Sequence, residues 1–133
     1  MTDTAGALWF GIYDTVALPD TTPPADSSGW IFDNGHSMVA NDQWHHVAVV
    51  FARDGNAATY VDGKRDTTLD ISALAAYPLD DFVFCIGNDR YDASSAINGA
   101  LDEVRVQRHV MNEQWIKLCY ESQRAGGTVV KLE

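Results

Sequence analysis

Apolar positions along the chain fall in short runs rich in Val, Ile, Phe, Tyr and Trp, broken by Gly, Asp, Asn and Pro. That is the spacing of antiparallel strands. The first run covers residues 7–13, and the next stretch, residues 18–28, carries Pro19, Pro23 and Pro24 among small polar residues. Proline offers no N–H to a ladder, so this stretch predicts a surface excursion and not a central strand. Residues 29–33 then predict a strand, Asn34-Gly35 a turn, residues 37–40 a short run and residues 44–52 a strong strand. Beyond it, Asp54-Gly55 and Asp62-Gly63 bracket residues 57–61. Such pairs supply the positive φ of tight hairpins, which predicts a three-stranded antiparallel meander.

The pattern weakens over residues 66–81, where Pro78 and Asp80-Asp81 close a connection, and residues 82–87 read as a buried strand. A polar loop over residues 88–98 leads into a strand at residues 100–107, with Leu101, Glu103, Arg105 and Gln107 on one face and Ala100, Asp102, Val104 and Val106 on the other. From Asn112, a good N-cap, the period changes. Trp115, Ile116, Leu118, Cys119 and Tyr120 make an apolar stripe at helical spacing. The helix is expected to end before Gly126-Gly127, with residues 128–132 returning as a short strand.

Composition narrows the functional classes. The chain has 133 residues, 46% apolar and 21% charged, an ordinary balance for one globular domain. Folding at this length removes roughly two thirds of the unfolded surface, so a core needs neither metal nor disulfide framework. Nineteen acidic against nine basic side chains leave a net charge of −10, which repels phosphate backbones and anionic lipid. Neither nucleic acid nor a membrane is expected as a partner. No apolar run approaches the roughly 18 to 20 residues of a membrane span, and Met1-Thr2-Asp3-Thr4-Ala5-Gly6 does not read as an export signal. The compartment stays open.

Three segments carry a family resemblance. Trp44-His45-His46-Val47-Ala48-Val49-Val50-Phe51, Tyr60-Val61-Asp62-Gly63-Lys64 and Asn98-Gly99-Ala100-Leu101-Asp102-Glu103-Val104-Arg105-Val106 follow one another in that order. Together they resemble the laminin-G-like, concanavalin A-like jelly-roll family, with its Trp-His-x-Val strand, Tyr-Val-Asp-Gly hairpin and late Gly-x-Ile-Asp-Glu-Val-Arg strand before a helix. The match spans about residues 28–124. It implies an all-β fold, a two-sheet antiparallel jelly-roll sandwich with one C-terminal helix, and residues 1–133 are expected to form one such domain. It also suggests an extracellular setting. The departure is at the front, because family members usually begin with further strands ahead of the one resembling residues 8–13. A sandwich without them leaves edges or an inner face open. Either residues 14–28 cover the gap or a second copy does, as a homodimer through sheet extension or mutual cover.

The resemblance implies a structural calcium with Asp102 as a ligand. Calcium takes about six to eight oxygens, and the early loops that complete the shell are what this chain lacks. The plainer reading has Asp102 accept hydrogen bonds from a neighbouring turn or pair with Arg105; it is the reading we favour, and no other cofactor is expected. The loop Asn88-Asp89-Arg90-Tyr91-Asp92 combines groups that grip sugar hydroxyls with a ring that stacks on a pyranose, and Trp30 or Trp9 adds a platform. Against this, such loops are also ordinary surface and such tryptophans ordinary core. His45 and His46 point to opposite faces of one strand and do not chelate one ion. His45 shares parity with Val47, Val49 and Phe51 and reads as a hydrogen-bonded core or interface histidine. No Cys-x-x-Cys or His-Glu-x-x-His zinc spacing occurs. Cys85 and Cys119 read as small buried hydrophobes, with pairing left open.

Family members include glycan binders, protein binders and spacers, so the fold does not choose the ligand. Sugar-cleaving relatives need two carboxylates about 5 to 9.5 Å apart, placed in the laminarinase-like branch by a Glu-x-Asp-x-x-Glu motif that is absent here. Asp102 and Glu103 are adjacent and face opposite ways on a strand. The leading reading is a non-catalytic module that binds carbohydrate or another surface polymer through rim loops. The alternative is a structural or protein-interaction domain that self-associates through an open sheet face. A polysaccharide hydrolase is the third.

Overall fold

The computed structural model describes residues 6–13, 30–75, 86–87, 96–124 and 126. Strand β1 spans Ala7–Tyr13, β2 Trp30–Met38, β3 Val47–Phe51, β4 Asn56–Val61 and β5 Lys64–Asp70. A single 3₁₀ turn, Ser72–Leu74, follows β5, and the helix α1 spans Glu113–Gln123. Among the described residues all strand pairs are antiparallel: β1 with β2 in one sheet, and β3-β4-β5 as a meander in the other. The described residues thus form two antiparallel sheets with one C-terminal helix, as the family resemblance implies. Among the described residues no helix is long and apolar enough to cross a membrane.

The core sits where the inner face of the meander meets β1. Phe10, Ala57, Ile71 and Leu74 are buried together, with Val49 and Leu69 packed against them. Parity explains the set, since Val49 pairs with Thr59, and Ala57 with both Phe51 and Leu69, so these residues share one face. Phe10 meets Phe51 edge to face, with ring centroids 6.5 Å apart. Burial of these apolar side chains is the main term that stabilises the sandwich.

Two irregularities lock the sheets to each other. In β5 the register shifts beside Thr59 and Tyr60, whose partners are Thr67 and Arg65, and Asp66 is the extra residue. In β2, residues 35–37 lie opposite Leu8 alone, because Ala7 pairs with Met38 and Trp9 with Asn34. A bulge re-aims the side chain it carries. The Asp66 carboxylate accepts from the backbone N–H of His36 at 2.9 Å, the backbone N–H of Ser37 at 2.8 Å and the Ser37 hydroxyl at 2.7 Å. Donors freed from the β1–β2 ladder by one bulge are therefore satisfied by the carboxylate turned out by the other. Beside this clasp the Thr67 hydroxyl donates to Asp33 at 2.9 Å, and the backbone N–H of Thr67 donates to the Thr59 hydroxyl at 3.2 Å.

Several expectations change here. Asn34-Gly35 is not a turn: β2 runs through it, and a Cβ on Gly35 would press on the Asp66 carboxylate and lie 2.9 Å from the Leu8 carbonyl. Asp54-Gly55 does link β3 to β4, but without a left-handed residue, whereas Asp62 and Gly63 both have positive φ, 51° and 73°. The strand expected over residues 44–52 shortens to Val47–Phe51, so His45 and His46 precede it rather than occupying its two faces. Part of the weakly patterned stretch after residue 66 belongs to β5. Residues 100–107 do not form a strand, and no backbone–backbone hydrogen bond is made by them among the described residues. Glu103 is left-handed there, with φ 54°, and a left-handed residue breaks a pleat. Of the strand expected over residues 82–87, Ile86 and Gly87 are bends and the rest lies outside the described residues, as does the strand expected over residues 128–132.

Candidate functional site

The rim at one end of the meander is built from the bend before β3 and the turn between β4 and β5. Asp62 and Gly63 occupy the two central positions of that turn with positive φ, the geometry that matches the twist of a two-residue hairpin. The backbone N–H of Asp62 donates to the His46 carbonyl at 2.9 Å. One oxygen of its carboxylate accepts from the His46 backbone N–H at 3.1 Å, and the other meets Nδ1 of His45 at 2.9 Å. Two of the resembling segments, Trp44-His45-His46-Val47 and Tyr60-Val61-Asp62-Gly63, are thus one hydrogen-bonded unit.

On its other side the His45 ring reaches Asn41, with Nε2 3.0 Å from Oδ1. That oxygen also accepts from the backbone N–H of Gln43 at 3.1 Å, and the Asn41 amide donates to the Met38 carbonyl at 3.4 Å. The bend is tied at its start as well, because the backbone N–H groups of Val39 and Ala40 both donate to the Gly6 carbonyl. Asp42 sits at φ 62°, which Asp tolerates better than most residues. The result is a braced loop that presents Trp44 outward, 71% exposed, beside the exposed side chains of Asp42 and Gln43.

Helix α1 closes this end. A Cβ on Gly63 would come within 3.2 Å of the Lys117 backbone and 3.0 Å of the Tyr120 ring, so only a glycine lets the helix rest on the turn. Ile116 is the residue α1 buries. The Tyr120 ring also lies 6.2 Å from that of His46, whose Nδ1 is buried with no hydrogen-bond partner among the described residues. Burial lowers the His46 pKa; Asp62 opposes that shift and Arg105 adds to it.

Of the residues singled out from sequence, Trp30 opens β2 opposite Tyr13. Asn88, Asp89 and Tyr91 lie outside the described residues, as does Cys85. Cys119 is a free, half-buried thiol rather than a buried one. Asp102 is exposed and accepts from the backbone N–H of Glu103 at 2.8 Å, while Arg105 pairs with Glu103. Among the described residues no group of three or more His, Cys, Asp or Glu side chains is placed to hold a metal ion. The braced loop at Trp44 was hidden from the sequence. The signal for it was the Trp-His and Asp-Gly segments themselves, whose side chains bond to each other.

The model of the concanavalin A-like lectin/glucanases superfamily matches residues 3–117. No curated protein matches the chain. Among solved structures it is similar to an S-layer domain-containing protein from Clostridium thermocellum, with a TM-score of 0.52 and 17% identity over 90% of this chain. It spans 65% of the length of that structure. At that identity the likeness is one of fold.

Proposed function

The chain belongs to the concanavalin A-like lectin/glucanase superfamily, and on that premise we propose that it is a non-catalytic binding module for carbohydrate or a related surface polymer. The observation that carries this reading is Trp44. Tryptophan is highly buried on average, and an indole kept 71% exposed on a braced loop leaves a flat apolar face free for a ligand. A pyranose ring stacks its C–H face on such a surface, while flanking polar groups meet its hydroxyls. The side chains of Asp42 and Gln43 are exposed and reach no protein partner among the described residues, so both are available for those hydrogen bonds. The His45–Asp62 brace lies beneath, and its rigidity lowers the ordering cost of binding. The net charge of −10 favours a neutral or cationic polymer over an anionic one. The similar structure's description as an S-layer domain-containing protein puts cell-surface polymers among the ligands to test first.

Affinity electrophoresis on soluble neutral polysaccharides, a β-glucan, a xylan and a mannan, tests the proposal. The chain is expected to be retarded by at least one. Trp44→Ala should weaken that binding by about tenfold or more with unchanged circular dichroism, since stacking of this kind is worth about 1 kcal/mol beyond the area buried. No release of reducing sugar is expected from the bound polymer. Free migration on every polymer, or retardation that survives Trp44→Ala, would refute this assignment.

A further inference from the structure

The stretch that leads into α1 has the sequence of a strand and the surface of an interface. Leu101, Val104, Val106 and Val110 are between 52% and 74% exposed. Runs of exposed apolar residues of this size mark interaction surfaces. In a chain of net charge −10 this stretch is locally neutral, with Asp102 and Glu103 balanced by Arg105 and Arg108. Its backbone makes no ladder among the described residues, and an unpaired strand-forming segment is a template for another chain.

We propose that the segment 100–107 pairs antiparallel with the same segment of a second copy, in a register centred on Val104. The register follows from symmetry and charge. A two-fold axis normal to the sheet pairs residue i with j and j with i, and opposite residues of antiparallel strands share a face. The pairing is therefore centred on a residue and never between two. Centring it on Asp102, Glu103 or Arg105 sets a charge against its own copy, which destabilises a strand pair. Centring it on Val104 sets Val104 against the partner's Val104 and Glu103 against the partner's Arg105, twice over. Centring it on Val106 loses both of those ion pairs. The isolated chain holds the same two groups together, Arg105 on Glu103, beside the left-handed Glu103 that Asp102 caps. Pairing exchanges the two intrachain contacts, one in each copy, for two between the chains and lets Glu103 return to extended backbone.

The test is sedimentation equilibrium of the full chain with a charge-reversal cycle. A reversible dimer is expected; Glu103→Arg alone and Arg105→Glu alone should each weaken it by about tenfold, and the double reversal should restore it. In a chain with Cys85 and Cys119 replaced by Ser, mild oxidation should link Val104→Cys into a dimer faster than Val106→Cys. A monomer at every concentration, single reversals without effect, a double reversal that fails to restore the dimer, or faster linkage at Val106→Cys would each overturn the proposal.

Discussion

Asp66 joins two strands that share no ladder, and its role turns on three donors. The backbone N–H groups of His36 and Ser37 and the Ser37 hydroxyl converge on its carboxylate. Hydrogen bonds to a charged acceptor contribute about 1.5 to 3 kcal/mol each when well buried, and less where water reaches them, as it does at this half-buried site. Asp66→Ala should therefore cost about 2 to 3 kcal/mol, read as a lower urea midpoint with little change in slope. Asp66→Asn should recover part of that, because its amide oxygen still accepts. His46 gives the residue scale a pH dependence. Its pKa is lowered in the fold, chiefly by burial, so the fold favours the neutral ring. The contribution is complete above the ordinary histidine value of about 6.5 and is lost as pH falls toward the lower folded value. The urea midpoint of the chain should thus fall more steeply than that of His46→Gln between about pH 7.5 and about pH 5. Parallel profiles for the two proteins would remove the role.

Helix α1 shows what a local signal fixes. Asn112 is its N-cap, with an extended backbone and Oδ1 accepting from the Trp115 N–H at 2.8 Å. Asn112→Ala should cost about 1 kcal/mol in thermal or urea unfolding, and Asn112→Asp only a few tenths. That cap was legible in the sequence because every atom of it lies within four residues. Strand β1, the central strand β4 and the Asp62-Gly63 turn were legible for the same reason. Asn34-Gly35 was not: its dipeptide chemistry is that of a turn, but Asn34 stays in the ladder and Gly35 opens a bulge beneath Asp66, some 30 residues away. The third strand of the meander, β5, was expected after Asp62-Gly63, but its extent was hard to see because Lys64, Arg65, Asp66, Thr67 and Thr68 mask its alternation, although Thr67 is buried. Residues 100–107 failed in the opposite way. Their alternation is imperfect, since Asp102 shares a face with Val104 and Val106, and a strand is a property of a pair whose partner a sequence pattern does not supply. The candidate site was half legible, since the Trp-His and Asp-Gly segments carry the family match, while their bonding to each other and the exposure of Trp44 emerge only in three dimensions.

At the scale of the whole molecule, the net charge of −10 decides how two copies respond to salt. Compact domains of this length have centres about 35 Å apart in a dimer. Two such net charges at that distance repel by about 4 kcal/mol when the Debye length is about 30 Å, at 0.01 M salt, and by only about 0.15 kcal/mol when it is about 8 Å, at 0.15 M. The two Glu103–Arg105 pairs across the proposed interface are exposed and worth about 0.2 to 1 kcal/mol each, so screening them costs less than screening the repulsion gains. Dimerisation should therefore tighten as salt rises over that range, with most of the gain at its low end. Lowering the pH toward the isoelectric point of about 4.5 should remove the repulsion without salt. Sedimentation across a salt series separates the terms. Glu103→Arg with Arg105→Glu leaves the net charge unchanged and should keep the same salt slope as the unaltered chain. Glu103→Gln, which removes one negative charge per copy and both interchain pairs, should dimerise less at 0.15 M and show a shallower dependence. A dimer that loosens steadily from low salt upward would mean that ion pairs rather than apolar contacts hold the copies together, and Leu101, Val104 and Val106 would lose the part assigned to them here.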